Sequence, residues 1–203
     1  MANETSPPTT KTAPHGVGQD RVSTDSTGKT TRMIAKAVIR DVSGGESRIW
    51  IQQRGKRKLF PYMGELPGGH VKDGETPRDG VLREIREELQ ANLTQDNALV
   101  AHIAESVKVS YKGPDGAENV SDCSVWEVVP KDKVELNVDK EEVVLGGWVP
   151  ETDVRNAANS GNALVRISGH GVQLNPVAVE QLRTYFAKRE EQLRVRDQLG
   201  DEP

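Results

Sequence analysis

The sequence predicts a single α/β domain built on a mixed sheet. Strand-like runs of branched and aromatic residues recur along the chain, and segments with helical periodicity and capping signals fall between them. The length of 203 residues suits one ordinary domain with a real core. Only 34% of residues are hydrophobic and 4% aromatic, so part of the length is expected to be tail or loop.

Residues 1–30 are rich in Ser, Thr, Pro, Gly and Lys and read as a disordered tail. Ile34 to Ile39 reads as a strand with small and branched residues on both faces. Ser43-Gly44-Gly45 turns the chain, and Arg48 to Gln52 alternates as a second strand. Residues 54–75 form a long loop rich in Gly, Pro and basic side chains, and long loops in small domains often carry function. A helix is expected from Thr76 to Leu89. Thr76 suits the N-cap, Pro77 the first helical position, and Asp79 the acid of a capping box. Further strands are expected through Val107 to Tyr111, Cys123 to Val129 and Val143 to Val149, the first two joined by a turn at Gly113-Pro114-Asp115-Gly116. Pro150 to Ala158 reads as a short helix. Asn175 caps a last helix whose apolar stripe is Val179, Leu182 and Phe186. The division that follows is a tail over 1–30, a domain over 31–190 and a charged tail over 191–203.

The formal charge of −4 gives no reason to expect attraction to nucleic acid or to a membrane surface. No apolar run approaches the ~18–20 residues needed to span a bilayer. The one cysteine, Cys123, cannot form an internal disulfide, which suits a reducing, cytoplasmic compartment.

The chemistry concentrates in Gly68 to Ala91, GGHVKDGETPRDGVLREIREELQA. At ~100° per residue, Glu84, Glu87 and Glu88 share one helical face. Leu82, Ile85 and Leu89 fall opposite them, with Val81 at the border. Three clustered carboxylates repel one another unless a cation neutralises them, and hard divalent ions take oxygen ligands. The helix alone also fits a solvated acidic face paired with Arg83 and Arg86. The preceding Gly68-Gly69 and the loop closed by Gly74 favour the ligand site, since glycines let backbone approach a ligand closely.

The segment resembles the Nudix box at Gly69, Glu75, Arg83, Glu84, Ile85, Glu87 and Glu88, with Leu66-Pro67 also fitting ahead of the glycines. Two positions depart: Gln90 stands where the family has glycine, and Ala91 is a weak aliphatic. The resemblance implies the Nudix fold, an α/β/α sandwich with a mixed β-sheet. It implies that Glu84, Glu87 and Glu88, with the Gly68 carbonyl, bind Mg²⁺ or Mn²⁺, and that Arg83 orients the acids through an ion pair with Glu75. It further implies hydrolysis of a diphosphate linkage in a small nucleoside diphosphate derivative. Without glycine, Gln90 is expected to force a different exit from the helix, with Asn92 as substitute, while the acidic face stays intact.

Glu142, just ahead of Val143 to Trp148, stands where the family often places a general base, and a surface role fits it equally. Arg54, leading the basic run Lys56-Arg57-Lys58, is the candidate for holding substrate phosphates, with Gly69 beside it in the substrate site. Tyr111 and Trp126 suit either stacking on a base or half-buried sheet. His70, His102 and His170 show no metal-ligand spacing, and Cys123 has no partnered histidine. Two other readings compete. One is a Nudix-fold nucleotide-binding module without catalysis. The other is an isopentenyl-diphosphate-isomerase-like enzyme, which Gly68 disfavours because those enzymes carry Cys there. A homodimer is left open.

Overall fold

The computed structural model describes residues 20–24, 30–112 and 118–199. The turn expected at 113–116, most of the N-terminal tail and the last four residues lie outside them. The chain forms β1 (Val22–Thr24), β2 (Thr30–Asp41), β3 (Arg48–Arg54), β4 (Gly64–Glu65), β5 (Gly68–His70), α1 (Pro77–Leu89), β6 (Ala98–Lys112), β7 (Glu118–Pro130), β8 (Val143–Pro150), α2 (Glu151–Asn159), β9 (Leu164–Ile167), β10 (His170–Gln173) and α3 (Pro176–Leu199). Val22–Thr24, inside the span read as tail, pairs with β2, and α3 continues to Leu199.

β2 is the spine of the mixed eight-stranded sheet. It runs parallel to β7 and antiparallel to β1, β3 and β5, while β3 also holds β4 and β8. Ala35 to Ile39 are all buried because helices cover both faces, which is why this strand shows no polar alternation. One core, with Ala35, Ala37, Ile39 and Val128, takes Val81, Ile85 and Leu89 of α1. The other, with Val38, Ile49, Ile51 and Val125, takes Val154 and Ala158 of α2 and Leu182, Tyr185 and Phe186 of α3. The result is an α/β/α sandwich. The β9–β10 hairpin turns through Ser168 (φ 49°) and Gly169 (φ 85°), a two-residue loop with both φ positive. Among the described residues no helix is long and apolar enough to cross a membrane.

An ionic cluster fastens α3 to the sheet. Tyr185 donates to Glu127 Oε1 at 2.6 Å, and Arg189 Nη1 lies 3.0 Å from Glu151 Oε1. Arg40 stands between Glu127 (2.9 Å) and Glu151 (3.6 Å), and Ser47 also donates to Glu151.

Candidate active site

α1 starts where the side chains dictate. Thr76 Oγ1 accepts from the Asp79 amide at 3.2 Å and donates to the Asp79 carboxylate at 2.6 Å, with Pro77 opening the helix. Its apolar face docks on β2 and β5. The opposite face then looks into a cleft of about 550 Å³ between α1, the 55–63 loop, β6 and α3. Glu84, Glu87, Glu88, Arg83, Gly68, Gly69, Arg54 and Glu142 all line this cleft, so the structure brings these eight residues to one place.

The acids are not equivalent. Glu87 stands half-exposed, while Glu88 is only 7% exposed. Glu88 Oε2 accepts from Gln52 Nε2 at 3.0 Å and from the Gly68 amide at 2.9 Å. Burial pushes its carboxyl up to about 7, against the opposing pull of Lys36. Burial also raises Glu84, against Arg83. Arg83 Nη1 bonds Glu84 Oε1 at 2.7 Å and Glu87 Oε2 at 2.9 Å. Arg83 Nε and Nη2 hold both oxygens of Glu75, and Nη2 also reaches the His70 carbonyl at 2.8 Å. All five guanidinium hydrogens are engaged, fixing the acids to the Gly69–His70 backbone. Desolvation lowers the basicity of Arg83, and these carboxylates more than reverse that effect.

Two glycines make close approaches, Gly68 to backbone and Gly69 to the movable end of a side chain. Gly68 has φ 120°, and a Cβ there would lie 2.2 Å from the Ala35 carbonyl oxygen; a Cβ on Gly69 would lie 2.7 Å from the Glu84 carboxyl. Gln90 does not redirect the helix as expected. It takes the left-handed exit itself (φ 52°, ψ 27°). The amides of Asn137 and Asp139 bond the carbonyls of Leu89 and Glu88, so tertiary hydrogen bonds hold a conformation that glycine would adopt without strain.

The other wall is basic. Arg54, Arg57 and Lys58 line it, with Arg54 ion-paired to Glu65 and Lys58 2.8 Å from Glu142. A register shift at Gln53/Arg54 and the Gly55 amide bond to the Glu142 carbonyl place Glu142, rather than Glu141, in the cleft. Tyr111 lies on the wall against Phe60, ring centroids 5.9 Å apart. Trp126 packs instead on His102 and does not reach the cleft. His70 lines the rim 3.5 Å from Asp20, and burial lowers its pKa. Cys123 is buried, and burial pushes its thiol up.

Sequence reasoning missed Lys36, Gln52 and Glu65. Each is buried beneath the acids and bonded to a residue far along the chain. The only signal for Lys36 and Gln52 was polarity inside strand-like runs, and Glu65 fell in the span read as loop.

The NUDIX domain profile matches residues 31–166. The chain is 38% identical over 71 residues to an 8-oxo-dGTP diphosphatase of Proteus vulgaris, an alignment covering 34% of this chain and 61% of that relative. The chain thus spans about three fifths of that relative's length. Among solved structures, a Nudix hydrolase from M. smegmatis superposes with a TM-score of 0.57 at 16% identity, covering 87% of this chain and 95% of that one. The MutT protein of Methanosarcina mazei Go1 gives 0.57 at 15% identity, covering 80% and 97%. With the profile spanning most of the ordered sheet and the box side chains gathered in its cleft, the chain belongs to the NUDIX domain family.

Proposed function

We propose that the chain is a magnesium- or manganese-dependent pyrophosphohydrolase, cleaving the diphosphate linkage of a small nucleoside diphosphate derivative by water attack at phosphorus. The observation that carries this reading is the meeting of three helix carboxylates and a basic wall across one cleft. The likeness to an enzyme named 8-oxo-dGTP diphosphatase supports a nucleotide substrate. A lone buried thiol suits a cytoplasmic setting.

The donor set fits a hard divalent cation. Glu84, Glu87 and Glu88 offer only oxygen, and their mutual repulsion is relieved by a positive ion. Among the described residues no three acidic, His or Cys side chains already form a finished cage. Glu84, Glu87 and Glu88 would hold such an ion, with Arg83 setting the positions of the first two. When bound, such an ion lowers the pKa of water and neutralises phosphate charge. Arg54, Arg57 and Lys58 hold the phosphate oxygens from the other wall. Glu142 takes the proton of the attacking water, and the Lys58 ammonium, 2.8 Å away, orients its carboxylate. Arg83 acts on the acids, not on substrate. Isomerase chemistry is disfavoured, because Gly68 offers no side chain and the Cys123 thiol is buried in the core.

The test is a panel of nucleoside triphosphates, ADP-ribose, dinucleoside polyphosphates and isopentenyl diphosphate with Mg²⁺. The expected result is release of a mononucleotide with phosphate or pyrophosphate from at least one member, lost in Glu87→Gln. Tight metal-dependent binding without turnover would identify a binding module instead.

A further inference from the structure

We propose that Lys36 is a resident cation of the acidic site, one that competes with a divalent ion for the Gly68 carbonyl and thereby sets how tightly that ion is held. The inference rests on the metal-dependent reading above and concerns a residue outside the box.

Lys36 lies in the middle of β2 and is 8% exposed, a position where lysine is rare unless fully paired. All three ammonium hydrogens are used. Nζ bonds Glu65 Oε2 at 3.0 Å, the Leu66 carbonyl at 2.9 Å, and the Gly68 carbonyl. The ladder fixes this arrangement, because Lys36 is the direct strand partner of Gly68. Gly68 in turn gives its amide to Glu88. One glycine therefore joins the ammonium to the most buried of the three helix acids. The Lys36 charge is felt at both Glu84 and Glu88.

An ion held by Glu88 and the Gly68 carbonyl shares its oxygen with this ammonium. Two cations at one carbonyl repel, and a buried setting screens that repulsion poorly. Without the ion, Lys36 balances Glu65, Glu84 and Glu88. With it, the ammonium would give up Gly68 and keep the Leu66 carbonyl and Glu65, which Arg54 also contacts. The cleft is thereby stable without metal and binds metal more weakly than its acids alone would.

The test uses the full chain, stripped of metal, titrated with Mn²⁺ alone by calorimetry and by the electron paramagnetic resonance signal of free Mn²⁺. Lys36→Met is expected to bind Mn²⁺ roughly tenfold or more tightly than wild type. Its melting temperature should also rise further on adding Mn²⁺. Lys36→Arg, which keeps the charge, should stay near wild type. If Lys36→Met does not fold without metal, Lys36→Gln keeps a neutral donor for Glu65 and should shift in the same direction. Equal or weaker Mn²⁺ binding in the neutral variants overturns the inference. A wild type that binds Mn²⁺ and turns over substrate, with neutral variants binding no tighter, sinks this inference alone. A wild type that neither takes Mn²⁺ nor cleaves any substrate sinks the hydrolase reading itself.

Discussion

Arg83 grips Glu75 as a fork, Nε on one carboxylate oxygen at 2.9 Å and Nη2 on the other at 3.1 Å. Glu75 closes the loop ahead of α1, so this pair locks that loop to the helix that presents the acids. The remaining guanidinium hydrogens reach Glu84, Glu87 and the His70 carbonyl.

Lysine cannot reproduce that fork. Arg83→Lys is expected to lower kcat/KM by roughly 100-fold, with a stability loss of about 1–3 kcal/mol. Steady-state kinetics beside urea unfolding will separate the two effects. Activity within a few-fold of wild type would show that the acids need no such brace.

Gly69→Ala tests the same wall from the backbone. The new methyl meets the end of the Glu84 side chain, which can move, and meets no backbone among its nearest contacts. The chain should fold with nearly unchanged melting temperature while Mg²⁺-dependent turnover falls at least about tenfold, because Glu84 is pushed from its place.

Glu142→Gln is expected to reduce kcat by roughly 10²–10⁴-fold with Mn²⁺ affinity unchanged, the signature of a lost general base. A rise in KM alone would instead make Glu142 a substrate contact.

Gln90→Gly should stabilise the protein by about 1 kcal/mol, since glycine takes the left-handed helix exit without the strain that Gln90 bears. Chemical denaturation reads this directly. An unchanged or lowered midpoint would mean that the Gln90 side chain contributes contacts that outweigh the strain.

The Glu151 cluster predicts an acid dependence of stability. Burial alone would raise the Glu151 pKa; Ser47, Arg189, Arg40 and Arg155 outweigh it and lower it. A carboxyl depressed in the folded state stabilises above its unfolded pKa of roughly 4.3, and that stabilisation is lost as pH falls through the folded value. Wild type should therefore melt above Glu151→Gln at neutral pH, the gap closing progressively below about pH 4. A gap that stays constant into acid would show that Glu151 titrates alike folded and unfolded.

The helix of the site was legible because two local codes agree in it. Thr76, Pro77 and Asp79 mark its start, and the period of Val81, Ile85 and Leu89 marks its buried side. The long strands were legible from their branched runs. β4 and β5, of two and three residues, are too short to show any period, and only pairing with distant strands defines them. The β9–β10 hairpin has no counterpart in the sequence reading, although Ser168-Gly169 is a turn signal. Glu142, the acid singled out from the sequence, lines the cleft, and the bulge on β3 that helps place it there has no local sequence signal. Nor could spacing foresee Lys36 bonding to Glu65, 29 residues away.

The amides of Asn137 and Asp139 close the last carbonyls of α1, and the same connection delivers Glu142 to the opposite wall. The two walls are thus yoked: lengthening this connection would uncap the helix and misplace the acid together. Divergence in substrate choice is accordingly cheaper in the turn between β3 and β4, where Phe60 and Tyr62 already tolerate unusual backbone angles.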